Sequence, residues 1–558
     1  MRRFYEPAPC LMIKNRQSMR HQQLRGLSPD TMELTTSLYR KPGLLDRWNA
    51  DARTIATIHQ IGATNEPAAI RDLMSFGLSR DSEVRVAARL TIQHLFSLVP
   101  VEAMPLLDEW LRRTWGQLED WYGLRADVLS GLELKNRSDQ IFLGLIASHR
   151  NGFVRAEAVR ILGLDESEAV VPFLLVRLVD WVNEVRSAAE GEVLRRLTPR
   201  FAKILVDSWP LIDRLAAGTR FNRSILRRID ELLQAPECTD QLRRGMELPS
   251  RSIRRRCFLI AAQAPEFKIA DIIARAIIDP DVLVRRWGFT AGTELLPHDR
   301  IELRRQAARD PYAPIRRLAF EALEADPASH LGDFEPFLLD RSTPIRRECQ
   351  TVAARRFAVI PADFYRERMQ TLNAKQTEVA VLGIAETGSK QDEAAITALL
   401  RHRSARIRRA AIRALRILGV GFNSDILLNI VCNDVPAVMR EAALTLFAER
   451  KTSGESIWAA AARNPDHRAR AAVLNVLQIA GKWTQIRLYL EAVADTEPSV
   501  SRRSVELLSL WVRKSNASFT QPTATDKITL QRSIAAMGSL LPQGLSRELS
   551  FIIETSLR

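Results

Sequence analysis

Several features that mark common protein classes are missing from this sequence of 558 residues. No apolar run approaches the roughly 20 residues that a membrane-spanning helix needs. The nearest candidate, Val170 to Val182, is interrupted by Arg177 and Asp180. The N-terminus carries basic residues but no clean hydrophobic segment before a small-residue cleavage site, so a secretory signal is not indicated. The sequence therefore predicts a cytoplasmic protein that does not insert into membranes.

Residues that usually build metal and cofactor sites are few or unpatterned. The five cysteines have no paired spacing, which predicts reduced thiols and neither disulfides nor zinc ligands. They are Cys10, Cys238, Cys257, Cys349 and Cys432. Glycine is sparse, with 24 residues, and Gly419-Val420-Gly421 does not continue as a phosphate-binding Walker sequence. We expect no metal and no cofactor.

What the chain does contain is a short phrase, apolar–Arg–x–x–Ala, that returns about every 31 residues. It reads Val84-Arg85-Val86-Ala87-Ala88 in one copy and Val154-Arg155-Ala156-Glu157-Ala158 in another. We call its arginine the marker. The marker positions are Arg53, Arg85, Arg125, Arg155, Arg186, Arg223, Arg254, Arg285, Arg316, Arg346, Thr377 in place of arginine, Arg408, Arg440, Arg470, Arg502 and Arg532. The longer steps after Arg85 and Arg186 predict insertions, and the fixed period predicts one supersecondary unit copied many times.

Each copy reads as a helix, a turn and a second helix. After the marker, apolar residues recur at three- and four-residue spacing, as in Ile407 to Leu418, which ends at Gly419, a typical helix stop. Before it lies a shorter apolar segment such as Ile269 to Ile278, followed by turn residues such as Asp279-Pro280-Asp281. Pro and Asp end one helix and cap the next. Strand-like alternation is not evident at length, so the sequence predicts an all-α fold.

The phrase Asp279-Pro280-Asp281-Val282-Leu283-Val284-Arg285 resembles the HEAT-repeat family, in the short variety found in phycobilin-lyase-like HEAT proteins. The Thr-Pro-Leu-His starts of ankyrin repeats and the Trp…Leu-Gly…Tyr pattern of tetratricopeptide repeats are missing. The resemblance covers roughly residues 46–558 and implies a right-handed α-solenoid of about sixteen helix-turn-helix repeats. It also implies that marker arginines pair with acidic residues of neighbouring turns. We expect an N-terminal cap or flexible segment at 1–45, the solenoid at 46–514, and a loop with a C-terminal capping repeat at 515–558.

Some HEAT proteins are enzymes, and the resemblance can be tested for each kind. Iron-dependent deoxyhypusine hydroxylases use His-Glu pairs, but none of the eight histidines here is followed by Glu. HEAT-like DNA glycosylases use a basic cleft with aromatics and a carboxylate, for which Trp287 beside Arg285, Arg286 and Asp281 is a faint match. Bilin lyase activity is suggested only by the repeat variety. We therefore expect a non-catalytic scaffold that binds a macromolecular partner as part of a larger complex.

The chain is strongly basic, with a formal net charge of +15 and 81 Lys and Arg residues, of which 70 are arginines. Residues 241–420 hold 32 of these cations against 22 Asp and Glu, a net charge of +10. At 100° per residue, the position after the marker lies on the solvent side of the second helix, the helix that lines the concave face of solenoids of this type. It holds arginine in five repeats of this basic segment, and again at Arg503 near the end of the chain. The five are Arg255, Arg286, Arg317, Arg347 and Arg409.

Three interpretations of these five arginines remain open at this point. They form a binding surface for an acidic protein, which is our first hypothesis, or they contact the phosphate backbone of a nucleic acid. Alternatively they form a solvated face with local Glu and Asp partners. A second candidate site is the group Trp110, Trp115 and Trp121, which predicts either a docking patch for a partner or the core of an extended helix. The sequence does not predict the oligomeric state.

Overall fold

The computed structural model describes residues 26–40, 49–112, 119–129, 135–296, 299–369, 374–420, 423–449, 452–515 and 520–556. These residues form helices joined by short turns, and no strand occurs among them. The prediction of an all-α repeat fold is confirmed. The chain divides into two compact units, Met1–His298 and Asp299–Arg558. The domain boundaries expected at 45/46 and 514/515 stay predictions.

The first unit is built from α-helices of four to sixteen residues. They are Pro29–Leu38, Ala50–Ala63, Ile70–Leu73, Ser82–Ser97, Met104–Arg112, Glu119–Tyr122, Ala126–Leu129, Arg137–Ile146, Gly152–Leu164, Val171–Arg177, Asn183–Arg195, Ala202–Asp207, Trp209–Ala216, Arg223–Leu233, Thr239–Glu247, Arg251–Ala261, Ile269–Ala276 and Val282–Leu295. Single 3₁₀ turns lie at Pro67–Ala69, Phe76–Leu78, Val101–Ala103, Glu168–Val170, Pro199–Phe201 and Pro236–Cys238. The extra helices at 104–129 and 199–216 account for the two insertions that the spacing predicts.

The second unit is a regular series of helical hairpins. Its α-helices are Arg300–Ala307, Ala313–Glu324, Leu331–Leu338, Thr343–Phe357, Pro361–Met369, Ala374–Thr387, Glu393–Ala398, Ala405–Leu418, Ser424–Asn433, Pro436–Glu449, Gly454–Ala462, His467–Val476, Lys482–Val493, Pro498–Lys514, Ala524–Met537 and Gln543–Thr555. Its 3₁₀ turns are Lys390–Asp392, Leu399–Arg401, Leu477–Ile479 and Gly538–Leu540. In each unit, second helices of successive hairpins pack against one another.

Short polar residues decide where the second helices begin. Asp81 accepts the backbone N–H groups of Glu83 and Val84, and Asp281 accepts that of Leu283 at 2.8 Å. Such caps satisfy donors that the first helical turn leaves without partners. At the other end of a helix, Gly419 follows Ala405–Leu418 in the left-handed conformation at φ +66, as the sequence predicts.

A buried ion pair joins successive repeats. Arg254 donates through Nε to Oδ2 of Asp279 at 3.0 Å, and both side chains are less than one-tenth exposed. Its Nη1 also donates to the carbonyl oxygens of Leu248 and Pro249 in its own turn. Asp279 in turn accepts the N–H of Asp281 in the next turn. One side chain therefore fastens its own turn to the next one.

The same ion pair recurs along both units and forms a ladder. The pairs are Arg155–Asp180, Arg254–Asp279, Arg316–Asp340, Arg408–Asp434 and Arg470–Asp495. Burial opposes ionisation of Asp180, but hydrogen bonds from Arg155 and the charge of Arg177 outweigh it and hold its pKa below the usual range. The ladder that the family resemblance implies is therefore present.

Two further arginines, the buried Arg196 and the half-buried Arg356, bind backbone at helix ends. Arg196 donates to the carbonyl oxygens of Leu162, Gly163 and Asp165 at the end of the preceding second helix. Arg356 does the same for the end of Ala313–Glu324. The carbonyls at a helix C-terminus have no partner within the helix, and a guanidinium can satisfy several of them at once.

No single helix among the described residues is long and apolar enough to cross a membrane. One bent pair, Ser82–Ser97 with Val101–Arg112, meets the length and composition criteria together, with a bend of 106° between its halves.

We predict that Arg254→Met destabilises the surrounding helices by about 3–5 kcal/mol, because it leaves the buried carboxylate of Asp279 without its cation. Amide hydrogen exchange in Arg251–Ala261 and Val282–Leu295 measures this loss locally, which suits a repeat array whose unfolding need not be two-state.

The matched control is Arg243→Met, since Arg243 is exposed and its contact with Asp240 is 3.8 Å long. This change should cost no more than about 1 kcal/mol. Adding Asp279→Asn to Arg254→Met should recover part of the loss, because it removes the buried charge. Equal protection in Arg254→Met and in the native chain would contradict the role given to the ladder.

Candidate functional site

The structure gives each repeat a common numbering from the N-cap of its second helix. The ladder arginines stand four residues after the N-cap: Arg254 follows Ser250, and Arg408 follows Ser404. The fifth residue after the N-cap is the position that the sequence singled out. We call it the row position.

Arginine dominates the row position from Arg223–Leu233 onward. In chain order the row position holds Arg227, Arg255 and Arg286 in the first unit, and Arg317, Arg347, Glu378, Arg409, Arg440, Ala471, Arg502 and Arg547 in the second. Nine of these eleven residues are arginine. Arginine makes up 70 of 558 residues, so chance would place about one there.

Side chains at neighbouring row positions reach one another. Nη2 of Arg409 lies 3.2 Å from Oε1 of Glu378, the row residue of the preceding repeat. Arg317 reaches Glu348, which follows Arg347 directly, at 2.7 Å. The row position is therefore a continuous feature of adjacent second helices in this part of the second unit.

Three row arginines have short bonds to carboxylates of the chain itself. Arg255 binds Asp281 through Nε and Nη2, at 3.2 and 2.8 Å. Arg317 binds Glu321 and Glu348, and hydrogen bonding to Glu321 raises the pKa of its guanidinium. Arg409 binds Glu378 as described. These three match the interpretation of a solvated face with local partners.

Five other row arginines are exposed and have no carboxylate within 4 Å among the described residues. They are Arg227, Arg286, Arg440, Arg502 and Arg547. Arg347 is 61% exposed and lies 3.9 Å from Glu386, whose carboxylate is already bonded to buried Arg346. The row position therefore offers at least six guanidiniums to solvent, and the sequence did not place four of these six together with the rest.

The marker pattern failed at several repeats. Arg440 matches the phrase and Arg502 continues its spacing. Both nevertheless stand at the row position, because Met439 and Ser501 are the fourth residues after their N-caps. Arg223 begins its helix, and Arg532 lies in the middle of Ala524–Met537. Arg125 precedes Ala126–Leu129 and is not in a second helix. Whether an arginine stands at the ladder or the row position therefore depends on where its helix begins, and not on the sequence motif alone.

The residues that faintly matched a glycosylase site are engaged in structure. Both carboxylate oxygens of Asp281 accept bonds, from Leu283 and from Arg255. Burial opposes ionisation of Asp281, but these bonds lower its pKa, which makes it a weak base. Trp287 is half-buried and packs near Phe258, at 6.4 Å between ring centroids. A free carboxylate beside an exposed ring is therefore not formed here.

The three tryptophans do not form a common surface. Trp121 is fully buried, with its ring 4.8 Å from that of His149, so this side chain lies in the core and is not exposed to a partner. Trp110 is half-buried, donates to the carbonyl oxygen of Ala68 at 3.1 Å and lies under the guanidinium of Arg71. Trp115 lies outside the described residues.

The part of the chain that the structure describes holds no group of three or more His, Cys, Asp or Glu side chains placed to bind a metal ion. Its four cysteines, Cys238, Cys257, Cys349 and Cys432, are free thiols, and burial raises the pKa of Cys257 to about 12. Thiols of such high pKa are poor nucleophiles.

The carboxylates beside the row arginines were missed by sequence reasoning, although the sequence contains their signal. Glu321 lies four residues after Arg317, which places both on one helix face. Glu348 lies 31 residues after Arg317, and Glu378 lies 31 residues before Arg409. The repeat period itself therefore indicates which side chains of adjacent repeats are neighbours.

Comparison with known proteins gives likenesses of fold only. No family model and no curated protein matches the sequence. Similar solved structures include Kap95p with RanGDP, from work on nuclear import complex assembly, at 13% identity and a TM-score of 0.32, covering 88% of this chain and 69% of that one. Importin beta from an ammonium sulfate condition has 12% identity, a TM-score of 0.27 and coverages of 95% and 68%. A Kap121p mutant has 12% identity, a TM-score of 0.28 and coverages of 96% and 58%. At these scores the likeness assigns neither partner nor function to the chain.

Proposed function

We propose that this protein is a non-catalytic, HEAT-type repeat scaffold of the cytoplasm that binds an acidic protein surface through the row arginines, within a larger complex. The observation that carries the proposal is the exposure of Arg227, Arg286, Arg440, Arg502 and Arg547 without carboxylate partners among the described residues. Within the part of the chain that the structure describes, these five guanidiniums make no ion pair.

Exposed guanidiniums at regular spacing suit a weak contact that is repeated many times. Each exposed ion pair contributes only about 0.2–1 kcal/mol, because water and salt screen it. Successive helices stand roughly 8–10 Å apart. A partner that meets several row positions at once would gain affinity by adding such contacts, and the planar guanidinium would orient its carboxylates through paired bonds.

The carboxylates at and beside the row position favour a protein partner over a nucleic acid. Glu378 occupies a row position, and Glu348 and Glu321 lie beside Arg317. A continuous phosphate backbone would meet these negative charges with repulsion. A protein surface can place carboxylates opposite the arginines and a cation or polar group opposite Glu378.

We predict that Arg347→Glu, Arg440→Glu and Arg502→Glu together weaken binding of a labelled glutamate-rich peptide by about tenfold or more, because three attractive contacts become repulsive. Fluorescence anisotropy over a salt series measures the affinity. A labelled DNA duplex and a labelled RNA are titrated in parallel.

The control variant carries Arg341→Glu, Arg401→Glu and Arg463→Glu, which are exposed residues on first helices or turns and change the net charge equally. Equal loss in both variants would mean that net charge alone attracts the peptide, and the proposal would fail. Tight duplex or RNA binding with a steep salt dependence that vanishes in the row variant would replace the acidic protein by a nucleic acid.

We predict that Asp281→Asn strengthens binding of the same peptide by a few-fold. The change frees Arg255 from its bidentate partner and gives the first unit three unpaired row arginines in succession. Asparagine still caps the helix at Leu283, so the fold is retained. The affinity of this variant, compared with that of Asp240→Asn on an exposed first helix, measures the effect. Unchanged affinity would show that Arg255 does not face the partner.

A further inference from the structure

A second candidate binding site lies in the second unit, away from the row position. A pocket of about 340 Å³ opens between Lys482–Val493 and Pro498–Lys514. Leu507, Leu510 and Trp511 contribute apolar surface. The polar residues that line it are Gln478, Lys482, Gln485, Tyr489, Lys514 and Ser515. No carboxylate side chain lines it. The volume falls in the range of about 300–1,000 Å³ that is typical of small-ligand sites.

The hydroxyl of Tyr489 is the most informative group in this pocket. The residue is 1% exposed, and its hydroxyl oxygen has no hydrogen-bond partner in the described structure. A buried polar group without a partner costs about 1–3 kcal/mol. A ligand atom that accepts a hydrogen bond at this place would remove that cost.

Two lysines line the pocket, and one arginine acts on Tyr489. Nζ of Lys482 donates to the carbonyl oxygen of Ser515 at 2.7 Å and lies 4.9 Å from the ring centre of Trp483. Burial lowers the pKa of Lys482, so a neighbouring anion would favour its charged form. Lys514 is exposed at the rim. The positive charge of Arg503 also acts on Tyr489, against the burial that raises its pKa.

The choice of lysine at this site is itself unusual. The chain has eleven lysines against 70 arginines, and two of the eleven line this one pocket. Elsewhere the buried cations of the described repeats are arginines, most of them held in the ladder or at a helix end. Lys482 and Lys514 take no part in the ladder, and Lys482 binds the carbonyl oxygen of Ser515 at the end of Pro498–Lys514.

We propose that this pocket binds a carboxylate that carries an apolar body. The carboxylate accepts from the Tyr489 hydroxyl and lies near Lys482 and Lys514, while the body packs on Leu507, Leu510 and Trp511. Such a group is found both in a small organic acid and at the C-terminus of a partner chain that ends in an apolar residue. The pocket is independent of the proposed function of the row arginines.

The test is isothermal titration calorimetry of the full chain with 3-phenylpropanoate and, separately, with a tripeptide ending in phenylalanine with a free C-terminus. The matched uncharged probes are 3-phenylpropanamide and the amidated tripeptide. We expect at least one acid to bind and its amide to bind about tenfold more weakly or not at all. Binding of the small acid alone identifies a free ligand, and binding of the peptide alone identifies a chain end.

Tyr489→Phe should weaken binding of that acid by about tenfold while the midpoint of thermal unfolding stays equal or rises, because the unpartnered hydroxyl is removed. Lys514→Gln should weaken it as well, and Lys203→Gln on an exposed helix of the first unit should leave it unchanged. Three results would each overturn the proposal: no heat from either acid at millimolar concentration, equal affinity for acid and amide, or unchanged affinity in Tyr489→Phe.

Discussion

The structure depends on an arginine–aspartate pair that joins one turn to the next and recurs in five repeats. In a repeat array every hairpin contacts only its neighbours, so its alignment must be fixed locally. Arg254 provides this by binding two carbonyl oxygens of its own turn and the carboxylate of Asp279. The buried charges require this geometry, because either one alone would be strongly unfavourable. A hairpin shifted along its neighbour would separate the two charges. The ladder therefore fixes the alignment of neighbouring hairpins as well as stabilising them.

This requirement explains much of the excess of arginine over lysine. A ladder cation must donate in two directions at once, toward carbonyls behind it and a carboxylate ahead, and the flat guanidinium has five donors where an ammonium has three. Arg196 and Arg356 use the same property at helix ends. The basic composition is therefore partly architectural. Net charge alone is a poor guide to a binding surface in such a chain, and only the arginines outside these roles bear on function.

The repeat, its helices and its insertions were predictable because they depend on local patterns of apolar spacing, caps and turn residues. The exact position of each residue within its helix was not predictable. The repeated phrase matched Arg440 as the ladder residue, but the start of the helix places Met439 there, in contact with Asn464. Ion-pair partners far apart in sequence were also not predictable. Arg346 pairs with Glu386, 40 residues away, whereas the other ladder pairs are separated by about 25 residues. The burial of Trp121 and the pocket at Tyr489 arise from packing between helices, which periodicity does not encode.

The row arginines are independent of the ladder, and this separates them from architecture. A doubled arginine after the N-cap could arise simply as an extension of the ladder phrase, as in Arg285 and Arg286. Four repeats exclude that explanation, because their fourth residue is not arginine while their fifth is: Leu226 and Arg227, Met439 and Arg440, Ser501 and Arg502, Ser546 and Arg547. In these four repeats the ladder lacks its cation and the row position keeps one, exposed and without a carboxylate among the described residues. The row arginine is therefore present even where the ladder arginine beside it is absent. We propose that contact with a binding partner accounts for it.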